Sequence, residues 1–269
     1  MKEYEIYNDL TVPKGSKIIL RLDGRNFHSL SKNLNLKRPY DEEFIKSMVF
    51  TSKDIFKEFS PLFIYTFSDE INILLSEIPF SGRIEKLNSI FSSLASSALM
   101  KYLNTNFFKD GFVNKENNIN ENSIDKSDVN KVNINKNNII SFDSRVIPIS
   151  ITEDIVKYFK WRQDESWRNC VNSYGYWTLR EDFSPSVSGE KLKNLNSSDI
   201  HQLLFEKGIN LNDLPSYQKR GIAIYKTKKA IFGINPKTNN KEHSYRNILI
   251  IDKELPMFDK DFFKNINIL

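Results

Sequence analysis

With 269 residues, 39% hydrophobic content and 20 Phe, the chain can bury one large core or two small ones. Its formal charge of +5 mildly favours a polyanionic partner, although solvated lysines give the same balance. A single Cys170 and only three His (His28, His201, His243) exclude a disulfide framework, a thiolate zinc site and a His-rich metal centre.

The opening Met1-Lys2-Glu3-Tyr4-Glu5 reads as neither a signal sequence nor an Arg-rich transit peptide. No apolar run approaches the roughly 20 residues that span a bilayer. A cytoplasmic protein is the default expectation, with the mitochondrion left open and no membrane partner. Residues 17–22 (Lys-Ile-Ile-Leu-Arg-Leu) read as a buried strand entering Asp23-Gly24. Residues 41–59 place Phe44, Ile45, Met48, Ile55, Phe56 and Phe59 mostly on one helical face. Asp41, Glu42 and Glu43 suit the first turn of that helix, where negative charge complements the dipole. Residues 62–67 and 71–75 read as a hairpin turning at Ser68-Asp69-Glu70. A second helix is expected over 84–103, burying Leu87, Ile90, Phe91, Leu94, Ala98, Leu99 and Tyr102.

In residues 114–139, ten of 26 are Asn, with no Gly, Pro or aromatic residue, the composition of a disordered insertion. Residues 142–149 return to an extended pattern. The order is β-α-β-β-α-β, so the expected class is α+β with a ferredoxin-like core. A third long helix follows over 152–177, opening on Glu153 and Asp154 and carrying Ile155, Val156, Phe159 and Val171. Helical spacing assigns most of its aromatics (Trp161, Trp167, Tyr174, Tyr176, Trp177) to core. Beyond it come a short helix near 198–207, a loop over 208–215 and extended segments at 221–225 and 247–251. The expected division is a palm-like catalytic region over 1–150 and an appended helical and basic lobe over 151–269.

If the first strand and the hairpin are neighbours, Asp23 and Asp69-Glu70 converge at one edge of a sheet. Such clustered carboxylates suit a hard divalent cation such as Mg²⁺. Two such ions can clamp the attacking and leaving oxygens of a phosphoryl transfer. Taken singly, each motif favours an ordinary turn or a solvated hairpin tip, and the order of elements reverses that balance.

A longer string of residues sharpens this reading. Arg21-Leu22-Asp23-Gly24-Arg25-Asn26-Phe27-His28, Arg38-Pro39-Tyr40-Asp41, Ser68-Asp69-Glu70 and Phe142-Asp143-Ser144-Arg145-Val146 together resemble the tRNA-His guanylyltransferase superfamily. The resemblance continues through Trp161-Arg162-Gln163, Asn169, Asn172, Tyr176-Trp177, Gly208-Ile209-Asn210 and Gln218-Lys219-Arg220-Gly221. It departs at Trp167-Arg168-Asn169-Cys170, where members that recognise the histidine anticodon carry His-Ile-Asn-Asn. That departure resembles the guanylyltransferase-like branch, which repairs truncated tRNA 5′ ends by templated 3′-to-5′ addition.

The resemblance implies a polymerase-palm core and a homotetramer. It also implies ATP activation of a 5′-monophosphate, followed by attack of the 3′-hydroxyl of GTP or another nucleoside triphosphate. Asp23, the Gly24 carbonyl and Asp69 would hold two Mg²⁺, with Glu70 in support. Nucleotide contacts are expected from Arg21, Arg25, Asn26, Phe27, His28, Arg38, Ser68, Asp69, Arg83 and Lys86. Contacts to tRNA are expected from Arg145, Arg162, Arg168, Asn169, Lys219 and Arg220. The competing readings are a histidine-specific guanylyltransferase, a catalytically silent RNA-binding relative and a palm-type nucleotide cyclase.

Overall fold

A computed structural model describes residues 1–106, 139–234 and 241–269 of the chain. The Asn-rich insertion expected at 114–139 lies, apart from Ile139, outside the described residues. Strands β1 (Lys17–Gly24), β2 (Phe63–Phe67), β3 (Glu70–Leu74) and β4 (Phe142–Ile149) fall where the hydrophobic pattern places them. Helices α2 (Glu42–Phe59) and α3 (Ile84–Asn106) separate them as expected. A short helix α1 (Phe27–Asn33) precedes α2 and was not anticipated.

The four strands are ordered β4-β1-β3-β2, every pair antiparallel. The sheet then continues. Strand β5 (Ile222–Ile234) pairs with β2, and β6 (Lys241–Asp252) pairs with β5, making one six-stranded sheet. Part of the expected C-terminal lobe is therefore built into the same sheet as the N-terminal half.

Both faces of that sheet are covered, which is why β2 and β3 are buried at every position instead of alternating. Ile18, Leu20 and Leu22 of β1 join Ile71, Ile73 and Ile64 under α2 and α3. Ile19, Phe63, Tyr65 and Leu74 face the other way, against Ile155 and Phe159 of the long helix α4 (Thr152–Asp182). Helix α8 (Lys260–Asn265) adds Phe262 and Phe263 to that second layer. The far half of α4 carries a smaller cluster, Val171 with Ile200 and Leu204 of α6 (Ser197–Glu206). Between them lies α5 (Pro185–Lys193), and the pentapeptide helix α7 (Ser216–Arg220) leads into β5.

The five α4 aromatics correct the expectation that most are core, since among them only Trp167 and Tyr174 pack against a hydrophobic cluster, that of Val171, Ile200 and Leu204. Trp161 is exposed and Trp167, Tyr174, Tyr176 and Trp177 are only half-buried. The buried stripe is made instead by Ile155, Phe159, Cys170, Val171, Gly175 and Leu179. Gly175 belongs to it because a side chain there would press on Ile200 and Leu192.

Candidate active site

The register of the sheet sets the site. Asp23 on β1 stands opposite Glu70 on β3 and Asp143 on β4, so three carboxylates lie in one row across adjacent strands. The next row on the same face holds Arg21 between Arg145 and Asn72. This face lies under α4, whose Tyr158, Trp161 and Arg162 reach the same polar region. Asp69 sits in the two-residue turn joining β2 to β3, with Ser68 at φ 50°. The Gly24 amide donates to the Asp69 carbonyl at 3.1 Å, tying the end of β1 to that turn. Gly24 also packs where a side chain would collide with the Phe27 ring, at 2.5 Å from its carbons.

Electrostatics follow from this packing. Burial first, and the charge of Asp23 second, push the Asp69 carboxyl up to about 6. Asp23 is raised by burial and by Asp143, with Arg21, Arg145 and Arg162 pulling it back. Two carboxylates that resist ionisation beside each other form a place where a cation is favourable. Among the described residues, no group of three His, Cys, Asp or Glu side chains is arranged to hold a metal. The donor set is instead two carboxylates, Asp23 and Asp69, beside the Gly24 backbone. That all-oxygen chemistry fits Mg²⁺.

Beside Asp69 opens a cavity of about 320 Å³. Ser68 and Asp69 form its inner wall, and Phe27 and His28 of α1 form another. Phe44 and Ile45 of α2 add apolar surface, Lys37 and Arg38 add cations, and Asn169, Asn172 and Ser173 of α4 add amides and a hydroxyl. Asp41 fixes the entry to α2, accepting hydrogen bonds from the Phe44 and Lys37 amides at 2.9 Å each. The Arg38 guanidinium lies 5.0 Å over the Trp177 ring, and its burial lowers its basicity.

The expected nucleotide contacts are only partly gathered here. Phe27, His28, Arg38, Ser68 and Asp69 line the cavity, and Asn169, expected to meet RNA, joins them. Asn26, left-handed at φ 59°, caps α1 and accepts from Ser29 Oγ at 2.9 Å. Arg25 is exposed at the strand end, its amide donating to the Ser141 carbonyl. Arg21 is turned beneath Trp161, 5.7 Å from the ring, with Nε buried and unpaired.

Arg83 and Lys86 require a correction. From Glu70, beside Asp23, β3 runs to Leu74, beside Ile19, and the chain leaves past Ile18. Arg83 then bridges Thr11 and donates to Asn8 at 3.2 Å. The start of α3 is thus at the opposite end of the sheet, about 20 Å from the carboxylates at strand rise. Within one chain these two cations do not share a site with Asp69.

Glu70 and Arg162 are the second correction. Arg162 Nε and Nη2 donate to the two Glu70 oxygens at 2.8 and 2.6 Å, and both side chains are buried. Asn72 Nδ2 adds a third hydrogen bond to Glu70 at 2.8 Å, and Tyr158 Oη donates to Asn72 at 2.6 Å. Glu70 therefore serves the turn through Arg162 and does not offer free oxygens to a cation. Arg162, enclosed in this network, is not placed to meet RNA. Among the other expected RNA contacts, Arg145 is exposed, while Arg168 is ion-paired with Glu165 on α4. Lys219 and Arg220 donate to the backbone carbonyls of Asn212 and Leu255. Asp143 was missed as a site residue. Its signal was the strand alternation that pairs it with Asp23.

Comparison with known proteins gives the family and the fold. Residues 1–150 match the family model described as tRNAHis guanylyltransferase, and residues 153–255 match that of the Thg1 C terminal domain. The tRNA(His) guanylyltransferase of Kluyveromyces lactis is 28% identical over 228 residues, covering 82% of this chain and 86% of the relative. That of Saccharomyces cerevisiae is 27% identical over 242 residues, covering 87% and 92%. A solved bacterial tRNA(His) guanylyltransferase-like protein in complex with ATP shares the fold. Its TM-score is 0.70 at 23% identity, covering 100% of this chain and 96% of that one. The crystal structure of the Saccharomyces cerevisiae enzyme gives a TM-score of 0.64 at 26% identity, over 82% and 90% of the two chains. The chain belongs to the tRNA(His) guanylyltransferase family.

Proposed function

We propose that this protein repairs 5′-truncated tRNAs by Mg²⁺-dependent, template-directed nucleotide addition in the 3′-to-5′ direction. The observation that carries the reading is the junction of Asp23, Gly24 and Asp69 with a nucleotide-sized cavity at one end of the sheet. Solved relatives that hold ATP or GTP support a nucleotide in that cavity. Its apolar wall of Phe27, Phe44 and Ile45 suits a base, and Lys37 and Arg38 suit phosphates.

In the activation step the 5′-monophosphate oxygen of the RNA attacks the α-phosphorus of ATP and pyrophosphate leaves. In the addition step the 3′-hydroxyl of a nucleoside triphosphate attacks the activated 5′ phosphate and AMP leaves. Asp23, Asp69 and the Gly24 carbonyl would hold Mg²⁺, which when bound neutralises the phosphate oxygens. The protein's own work is alignment. The Gly24–Asp69 hydrogen bond and the Glu70–Arg162 fork fix the carboxylates, and the buried cavity wall fixes the base, so both in-line displacements start from an ordered geometry.

The tetrapeptide on α4 favours repair over histidine-specific addition. Cys170 is fully buried, Arg168 is held by Glu165, and Trp167 packs 5.7 Å from His201. Only Asn169 presents its side chain to the cavity. The groups that would read one anticodon are absent, and selection of the added nucleotide falls to pairing with the opposite acceptor strand. We expect two truncated tRNAs differing only in the anticodon to be repaired at similar rates. A changed opposing base should change the nucleotide added. Activity that followed the anticodon and ignored the opposing base would instead mark a histidine-specific guanylyltransferase. The homotetramer implied by the resemblance would give Arg83 and Lys86 a place at a second copy's surface.

A further inference from the structure

Trp177 of α4 belongs neither to the core nor to the cavity beside Asp69. It is half-buried, yet among the described residues it joins none of the hydrophobic clusters. The cavity wall does not include it either. Tyr176 packs edge-on against its ring, with centroids 5.3 Å apart and planes at 85°. The Arg38 guanidinium lies 5.0 Å over its face.

Arg38 stands between two open spaces. With Pro39 it lines the nucleotide-sized cavity and also a second one, of about 340 Å³, that takes in Trp177, Arg180 and Glu181. A long side chain on such a partition has many rotamers open to it, and ordering it costs entropy. It also has a competing place to go, because Glu181 brings a carboxylate to the second cavity. Among the described residues Arg38 forms no salt bridge, so no carboxylate fixes it where it is. Weaker contacts hold it instead. Arg38 Nη2 donates to Ser31 Oγ, which itself donates to the His28 carbonyl at 2.8 Å. One hydrogen bond leaves the guanidinium free to turn about that bond, and a ring against its face removes the freedom. Only a planar, weakly hydrated cation gains in this way, since an ammonium has no face to stack.

We propose that Trp177 is a positioning residue acting through Arg38: its ring holds the guanidinium flat at the cavity wall, with donors set for the phosphates of the nucleotide. The proposal rests on the reading of the cavity as a nucleotide site, and adds to it a residue that touches no nucleotide. A cation ordered in advance spares the nucleotide that cost on binding, and the saving appears as affinity.

The test is a double-mutant cycle on Mg²⁺–ATP binding, measured without RNA, over wild type, Trp177→Leu, Arg38→Lys and the pair. We expect Trp177→Leu to weaken ATP binding about tenfold, the scale of a partly desolvated cation–π contact. Trp177→Phe should lose only about threefold, because Phe keeps a ring face of weaker attraction. In the Arg38→Lys background the Leu change should cost no more than about twofold, since the stacked plane is already gone. The affinity for tRNA without ATP should stay at the wild-type value. If Trp177→Leu does not fold, Trp177→Phe carries the same cycle. Wild-type ATP affinity in Trp177→Leu would overturn the proposal. So would an equal loss in the arginine and lysine backgrounds, which would mark a ring that supports the fold without acting through Arg38. Weakened tRNA binding with ATP binding intact would overturn it in favour of a ring that stacks an RNA base. A protein that gives the expected cycle but adds no nucleotide to truncated tRNA would sink the repair reading and leave the role of Trp177 standing.

Discussion

Replacing Asp69 with Asn is expected to lower nucleotide addition at least a thousandfold while making the metal-free protein more stable. The two effects have one origin. Asp69 is held among buried groups next to Asp23, and its carboxyl is pushed from 3.8 up to about 6. A carboxyl whose acidity is weakened by folding costs stability when it ionises. The folded chain binds more proton than the unfolded chain between about pH 4 and pH 6, so stability falls as pH rises through that window. Above it the loss levels off at ~3 kcal/mol, from about 1.4 kcal/mol per unit. The Asn side chain keeps the shape and removes the charge. Urea unfolding in a chelator at pH 4.5 and 7.5 should therefore show a larger pH-dependent loss for wild type than for the variant, in which Asp23 still contributes through its own burial and Asp143. Added Mg²⁺ should restore wild-type stability, because a ligand that binds only the folded state stabilises it, and should leave the variant unmoved. A thousandfold rate loss corresponds to ~4 kcal/mol of transition-state stabilisation, the scale expected when a charge-neutralising clamp is broken. Asp23→Asn should behave alike in activity. A purified variant with wild-type rate would remove the catalytic assignment. An identical pH slope in the Asp69→Asn protein would remove the electrostatic one.

The convergence of Asp23 with Asp69 was legible in the sequence because strand runs are local signals. Residues 17–22, 62–67, 71–75 and 142–149 are apolar runs bounded by turns, and the order βαββαβ leaves few ways to pair them. What sequence could not supply was partnership at a distance. Arg162 lies 92 positions from Glu70, and nothing near either residue distinguishes an interior fork from a solvated cation. The α4 aromatics misled because helical spacing counts apolar residues without showing which face meets the sheet. Here Ile155 and Phe159 are buried against the sheet, while Trp161 stays exposed and meets it only through the Arg21 guanidinium. Helix α1, with seven residues, is too short to be marginally stable alone, and it exists through Phe27 and Leu30 packing into the core. Lys86 lies in the first turn of α3, but Arg83 precedes that turn as an extended residue bridged to Thr11. The direction of β3 decides which end of the sheet that turn occupies, and direction is a tertiary fact.

Replacing Arg162 with Ala should destabilise the fold by about 3 to 5 kcal/mol, a large part of the 5 to 15 kcal/mol typical of a domain. The cost arises because the change leaves Glu70 charged and enclosed, with only Asn72 to satisfy it. Arg168→Ala, on an exposed pair with Glu165, should cost no more than about 0.5 kcal/mol. Denaturant unfolding of the two variants separates an interior arginine from a surface one. The milder Arg162→Lys keeps the charge and loses the planar fork that grips both carboxylate oxygens. In that variant the turn bearing Asp69 is released, so nucleotide addition should fall and Mg²⁺ should stabilise the protein less than it stabilises wild type. The salt dependence of tRNA binding should not change, because no phosphate contact has been lost. A reduced salt slope with unchanged stability would reverse the assignment and return Arg162 to the RNA surface. The outcome decides whether Glu70 acts on the reaction directly or through the arginine that holds it. The two hydrogen bonds at 2.8 and 2.6 Å place it behind the arginine.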